Sequence, residues 1–119
     1  MATITPTRSA PTERHRAVTF LHTWLGLAVG DDGAPVEMSF LTDRTVQVVG
    51  TFGSASVIIE GSLNGTDYAV LTDPQGNGLT VSAAKIETIM EAVAYVRPRI
   101  TGGDGTTNLS VTILMAGTV

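Results

Sequence analysis

Nearly a third of this chain is β-branched, and that share restricts its fold more than any other feature. Thr, Val and Ile together supply 38 of the 119 residues. Their side chains are stiff at χ1 and suit a pleated sheet better than a helix. Gly- and Pro-rich segments at 30–35, 73–78 and 102–105 separate these stretches and are typical of turns. Short strands between such turns predict a single-domain, all-β sandwich or barrel.

Alternating hydrophobicity predicts two strands that each bury one face. In segment 46–52, Val46 and Val48 fall on one side of the strand and Gln47 on the other. Segment 109–115 alternates in the same way, with its odd-numbered residues apolar. Since successive side chains of a strand point to opposite faces, the apolar sets should form part of one core.

The segment around Pro98 predicts a strand with an irregular place in its sheet. Val96 and Ile100 share one face, and Arg97 and Arg99 share the other. Proline has no N–H to donate, so we expect this strand to lie at a sheet edge or to carry a bulge. An edge that carries Arg97 and Arg99 is a candidate contact with a second copy of the chain.

The pair Asn64-Gly65 predicts a β-hairpin. It is a preferred sequence for a two-residue type I′ turn, in which both residues have positive φ. With that turn, Ile59 would lie opposite Val70. A longer loop over residues 64–67 would shift the pairing by one residue, and both registers stay open.

Segment 17–27 predicts a strand that is apolar on both sides, with Phe20 and Trp24 on one and Leu21 and Leu25 on the other. A strand of a half-exposed antiparallel sheet normally has one polar side. Either both sides are covered within the fold, or one side meets another chain. Leu21, Trp24 and Leu25 are therefore candidate interface residues, although Phe20 and Trp24 also fit an ordinary core, and we expect a dimer or trimer.

Segment 82–93 fits two kinds of structure. Ile86, Ile89, Met90 and Val93 have the spacing of one helix face. The run is short, however, and it lies between predicted strands. Helix and strand both stay open here.

Residues 1–16 differ in composition from the rest and predict an extended N-terminal arm before a sandwich domain of residues 17–119. Two prolines interrupt this segment, and no apolar period runs through it. Its three arginines, Arg8, Arg14 and Arg16, would let it bind an acidic surface.

Composition excludes several classes of function. Seven basic and eleven acidic residues give a net charge of −4, so nucleic acid is not an expected partner. The absence of cysteine excludes a disulfide scaffold, a thiolate metal site and a cysteine nucleophile. No apolar stretch reaches the ~20 residues of a membrane helix, and no secretory signal is present, so we expect no membrane partner.

The residues that carry chemistry form no recognisable constellation. His15 and His22 lack the spacing of metal ligands. Asp73 opens a segment that looks like a calcium loop, but Ala84 stands where the bidentate glutamate is needed. The single lysine, Lys85, does not lie in a phosphate-binding loop. We therefore expect no metal, no cofactor and no enzymatic activity.

Four segments carry a resemblance to a known group of proteins. They are TVQVVGTFG at 45–53, VIIEGSLNGTDY at 57–68, LTDPQGN at 71–77 and YVRPRITGG at 95–103. Together they resemble the small β-sandwich structural proteins of tailed bacteriophages, over roughly residues 45–115. Within that group, the size and single-domain form look most like the capsid cement (decoration) proteins.

The resemblance implies a jelly-roll-like β-sandwich that sits on the outer surface of a virion capsid, assembled in the cytoplasm of a bacterial host. It implies the major capsid protein as partner, with each copy bridging neighbouring subunits and Arg8, Arg14 and Arg16 meeting acidic shell residues. A neck or tail accessory protein of the virion would have the same fold and composition. Segments 61–68 and 95–97 also resemble galactose-binding-like jelly rolls, which bind sugars or calcium through their loops, although aromatic residues for sugar stacking are sparse here.

Overall fold

The computed structural model describes residues 2–14, 17–38 and 43–118. Within these ranges the chain forms twelve β-strands and no helix. The strands are β1 (Thr3–Ile4), β2 (Thr7–Arg14), β3 (Ala17–Leu27), β4 (Asp32–Gly33), β5 (Val36–Glu37), β6 (Asp43–Thr51), β7 (Ala55–Ser62), β8 (Ala69–Val70), β9 (Thr80–Val81), β10 (Lys85–Thr88), β11 (Tyr95–Gly102) and β12 (Asn108–Thr118).

Two sheets pack face to face. The wide sheet has seven strands in the order β1-β4-β11-β7-β8, with β5 also pairing with β11 and β9 with β7. The narrow sheet has five strands in the order β10-β6-β12-β3-β2. From β3 onward the chain passes repeatedly from one sheet to the other, and β12 returns to lie between β3 and β6. This Greek-key connectivity confirms the predicted all-β, jelly-roll-like sandwich.

The core lies between the sheets and follows the predicted alternation. Val46 and Val48 of β6 are buried, whereas Gln47 between them is exposed. The odd-numbered residues of β12 are also buried: Leu109, Val111, Ile113 and Met115. The wide sheet contributes Val57, Ile59, Val96 and Ile100 from its two central strands. The period of two therefore identified the buried faces of β6 and β12 correctly.

A bulge in β3 places two large side chains in the core at positions that simple alternation does not predict. Trp24 pairs with Val111 and Leu27 with Leu109, so two residues of β3 oppose one of β12. Gly26, at φ +70°, lies in this bulge and adopts a backbone conformation that other residues rarely take. Because of the extra residue, the side chains that point into the core change from even to odd positions after Trp24, so both Trp24 and Leu27 are fully buried.

The prediction of an edge or a bulge at Pro98 was wrong. β11 lies between β7 and the short strands β4 and β5, and its pairing with β7 is continuous from Tyr95 to Gly102. Ile59 lies opposite Pro98, and its backbone N–H and C=O form hydrogen bonds with Leu79 and Leu71 on the side of β7 away from β11. The nitrogen of Pro98 therefore points away from β7. It points toward the break between β4 and β5, where none of the described strands pairs with Pro98.

The hairpin after β7 has the longer loop and the shifted register. Glu60 pairs with Val70, so Val70 does not lie opposite Ile59 as a two-residue turn would require. The side chain of Asn64 organises the loop: its Oδ1 accepts hydrogen bonds from the N–H groups of Thr66 at 2.8 Å and Asp67 at 2.9 Å. These bonds favour a wide turn over the type I′ turn.

The described part of the predicted extended N-terminal arm pairs with the sandwich. β1 pairs in parallel with β4, and β2 pairs antiparallel with β3 across a register shift. The N–H of Ala2 also donates to Oδ1 of Asp31 at 3.0 Å. The described part of the arm is therefore extended but belongs to both sheets, because it pairs with backbone groups of β3 and β4 that would otherwise lie at sheet edges. Arg16 lies outside the described residues.

The open question at 82–93 is decided in favour of a strand. β10 pairs with β6, and irregular backbone follows up to Ala94. Ile89 is buried while Ile86 and Met90 are exposed, so the apolar residues of this run do not share one face. Their helical spacing therefore does not correspond to a helix.

Candidate functional site

His22 belongs to no metal-binding cluster in the described part of the chain. There, no group of three or more His, Asp and Glu side chains could hold a metal ion. His15 lies outside the described residues. His22 is half-buried, and its burial, followed by the charge of Arg8, lowers its pKa. Both effects disfavour the charged imidazolium form.

A cleft of about 420 Å³ opens where β2 and β3 pass the segment that contains β5. Its lining comprises Pro6, Arg8, Phe20, His22, Val36, Glu37 and Met38. The guanidinium carbon of Arg8 lies 4.5 Å from the centre of the Phe20 ring, a cation–π contact. Arg8, a predicted capsid-contact residue in β2, is thus exposed but stacks on the sandwich through Phe20.

The outer face of the wide sheet carries an ion-pair network, and we call it the ion-pair face. Nε of Arg97 donates to Oε1 of Glu60 at 2.7 Å, and Nε of Arg99 lies 3.4 Å from the same carboxylate. The guanidinium carbon of Arg97 also lies 3.9 Å from the centre of the Tyr68 ring. Glu60 is buried between the two arginines. Their charges therefore have a partner inside the molecule, which leaves less for an external contact.

The outer face of the narrow sheet lacks such a network. It consists of the alternate, outward residues of segments 21–25, 45–49 and 110–114, together with Ile86, and we call it the uncharged face. The register brings these residues side by side: Leu114 lies between Leu21 and Thr45. Every one of these outward residues is aliphatic, a hydroxyl residue or glutamine. A hollow of about 260 Å³ lies among them.

The predicted interface residues fall in three different places. Leu21 and Leu25 lie on the uncharged face, while Arg97 and Arg99 lie on the ion-pair face on the other side of the sandwich. Trp24 was wrongly predicted for an interface: it is 0% exposed, and its Nε1 donates to the carbonyl oxygen of Ala34 at 3.1 Å. A buried Trp24 cannot serve as a stacking platform for a sugar either.

Sequence patterns did not predict which residues contact one another on these two faces. Glu60 is separated from Arg97 by 37 positions, so their contact depends on the pairing of β7 with β11. Val49 and Leu114 lie on the sides of β6 and β12 that face away from the core, and alternation within each strand does not join those sides into one face. Ile86 joins them because β10 pairs with β6.

The acidic loops use their carboxylates to hold turns. Oδ1 of Asp73 accepts hydrogen bonds from the N–H groups of Gln75 at 3.0 Å and Asn77 at 2.9 Å. The bond from Asn77 is the largest cause of the lowered pKa of Asp73. Hydrogen bonds from Thr106 lower the pKa of Asp104 in the same way. These contacts explain why aspartate occurs in both turns.

Comparison with known proteins yields a fold relationship. No family model and no curated protein sequence matches the chain, and none of its described segments is a helix able to span a membrane. The SPBc2 prophage-derived protein YomS superposes with a TM-score of 0.64 at 9% identity, over 83% of this chain and 95% of YomS. A cupin domain from Bordetella pertussis Tohama I gives a TM-score of 0.49 at 11% identity, over 99% of each chain. At this identity the likeness to YomS concerns the fold alone: a prophage-derived protein has the same kind of β-sandwich.

Proposed function

We propose that this chain is a non-enzymatic structural protein of a bacteriophage virion, and more specifically a capsid cement protein. In this role it binds the outer surface of the capsid and bridges neighbouring major capsid protein subunits. The observation that carries the proposal is the sandwich that it shares with the prophage-derived YomS over most of both chains. The resemblance of residues 45–115 to small phage virion proteins supports the same role.

The free edge of the narrow sheet is the proposed contact with the capsid. Among the described strands, β2 has a neighbour on one side only, so its other side presents unpaired N–H and C=O groups. A strand of a capsid subunit could pair with this edge, as in β-strand addition. Arg8 lies in β2 with an exposed side chain, and it favours an acidic capsid segment.

Stabilisation of the shell then follows from mass action. A protein that binds two neighbouring subunits in the assembled lattice, but not the separated subunits, shifts the equilibrium toward the lattice. Each copy need contribute only about 1–3 kcal/mol, because many copies act on the same shell. A rigid sandwich suits this role, since little conformational entropy is lost when it binds.

The test is rebinding to phage particles from which the protein has been removed. We expect the purified chain to return to such particles and to raise the temperature at which they break open. Arg8→Glu should weaken rebinding by about tenfold or more, because it places a negative charge beside an acidic partner. Lys85→Glu is the matched control: it makes the same charge change on β10, at the opposite edge of the narrow sheet.

Two results would reject the proposal. Failure of the folded wild-type chain to bind the particles would exclude the cement role. Labelling confined to the neck or tail of intact virions would favour an accessory protein at that position. Equal weakening by Arg8→Glu and Lys85→Glu would reject the β2 edge as the contact while leaving the capsid role in place.

A further inference from the structure

The uncharged face is a continuous exposed surface formed by four strands. Leu25, Ile86 and Val49 on it are 61%, 60% and 42% exposed. Leu21 and Leu114 pair across β3 and β12 and are half-buried, and the row of Thr23, Thr112 and Gln47 separates them from Leu25 and Val49. Scattered apolar residues are normal on a protein surface, but several on one face with no charged residue among them mark a candidate interaction site.

The face carries no ionisable side chain although the chain has eighteen Asp, Glu, Lys and Arg residues. The nearest acidic position on the same side of β6 is Asp43, at the end of the strand. The polar residues of the face are threonine, serine and glutamine. The hydroxyls of Thr23 and Thr112, for example, lie 3.2 Å apart and hydrogen-bond each other. Hydroxyl and amide groups both donate and accept hydrogen bonds, so a surface of this kind is complementary to itself.

Charge favours a second copy of this chain as the occupant. Two copies that each carry a net charge of −4 repel each other over most of their surfaces. The uncharged face is the place where they can approach with no like charges opposed. A two-fold contact uses the same patch on both copies and needs only such self-complementarity.

The area fits a weak dimer. Four strands about 4.8 Å apart, over five residues of about 3.3 Å each, outline a surface of about 19 by 17 Å. Pairing two such surfaces would bury roughly 650 Å² in total, below the ~1,000 Å² of a stable specific interface, so we expect the dimer to form at high protein concentration. Face-to-face packing of antiparallel sheets at about 10 Å is also the arrangement inside the sandwich itself.

We propose that two copies of this chain form a two-fold dimer through the outer faces of their narrow sheets, with Leu21, Leu114, Val49 and Ile86 as the apolar contacts around a polar centre. The dimer does not depend on the proposed virion role, since it concerns the isolated protein. It leaves the β2 edge and the ion-pair face free on both copies.

A matched pair of substitutions tests the dimer. Val49→Lys places a charge within the uncharged face. Val70→Lys makes the same change at a valine of similar exposure, 46% against 42%, on the outer side of the wide sheet. Ile86→Lys repeats the test from β10. The mass of each protein in solution is measured by sedimentation equilibrium at about 100 µM, and circular dichroism checks that each variant is folded.

We expect a dimer for the wild type and for Val70→Lys, and an at least tenfold weaker dimer for Val49→Lys and Ile86→Lys. A wild-type monomer at this concentration, or a trimer, would overturn the proposal. A dimer that survives both Val49→Lys and Ile86→Lys would overturn it as well. If the wild type is a monomer and Val49→Lys abolishes particle binding, the face belongs to a capsid subunit and the proposal is wrong.

Discussion

The two outer faces of the sandwich belong to the same fold but expose different kinds of residue to solvent. On the ion-pair face, Arg97 and Arg99 are paired with a buried Glu60, so the polar groups have partners within the chain. On the uncharged face, aliphatic residues such as Leu25 remain exposed with no charged residue among them. The comparison indicates that the ion-pair face serves the stability of one molecule, whereas the uncharged face is suited to contact with another.

The difference cannot be explained by the strands themselves. Both faces are the outer sides of antiparallel sheets, and one side of such a sheet can remain in water. An outer side normally carries charged and polar residues, as the ion-pair face does. The uncharged face departs from this rule, and the proposed dimer would account for the departure.

Removal of Glu60 should have the largest effect on stability. Glu60→Ala leaves two arginines near each other without their counter-charge, and we expect a loss of about 2–3 kcal/mol in the free energy of unfolding. Glu37→Ala, at an exposed carboxylate on β5 in the same sheet, should cost less than about 0.5 kcal/mol. Urea unfolding of both variants measures the difference. A loss below about 1 kcal/mol for Glu60→Ala would mean that the ion-pair face contributes little to stability.

The two arginines should differ from each other. Arg97 makes the shorter bond to Glu60 and also stacks on Tyr68, whereas Arg99 makes only the longer contact with the carboxylate among the interactions described above. We expect Arg97→Ala to cost about 1–1.5 kcal/mol and Arg99→Ala about 0.5 kcal/mol, because both side chains are partly exposed and solvent screens them. Thermal unfolding of the two variants gives the ranking. The reverse order would be inconsistent with the observed geometry.

On the uncharged face, substitutions should affect association more than folding. Ile86→Thr removes exposed apolar surface, so at about 1 µM we expect its stability to stay within about 0.5 kcal/mol of the wild type. At high concentration the wild type should gain stability through dimerisation, while Ile86→Thr should gain less. Val70→Thr, on the other sheet, is the control and should retain the concentration dependence. If Ile86→Thr is strongly destabilised at low concentration, Ile86 is needed for the fold itself.

Acid should weaken the turn at Asp73. The hydrogen bonds from Asn77 and Gln75 lower the pKa of Asp73 in the folded chain below its ordinary range. The unfolded chain therefore takes up the proton first, so this stabilisation is complete at neutral pH and disappears as the pH falls through the folded pKa. The stability difference between wild type and Asp73→Asn should be largest near about pH 6 and decrease toward about pH 3. A difference that does not change with pH would exclude the carboxylate as its source.

Local patterns predicted much of the core. Val46 and Val48 of β6 were assigned to the buried side from alternation alone, and the same pattern located the core residues of β12. This works because the period of a strand is set by its own backbone. The β3 bulge at Gly26 was beyond this reasoning, since it arises where two residues of β3 oppose one of β12.

Sequence alone determined that this chain forms β-strands and which side of most strands is apolar, because both properties depend on neighbouring residues. Which strands lie together depended on the tertiary structure. The contact of Glu60 with Arg97, the burial of Trp24 and the merging of Leu21, Val49 and Ile86 into one face arise from pairing between distant segments. The physical reason is that the backbone sets the direction of a side chain locally, whereas its partners are set by the order of strands in the two sheets.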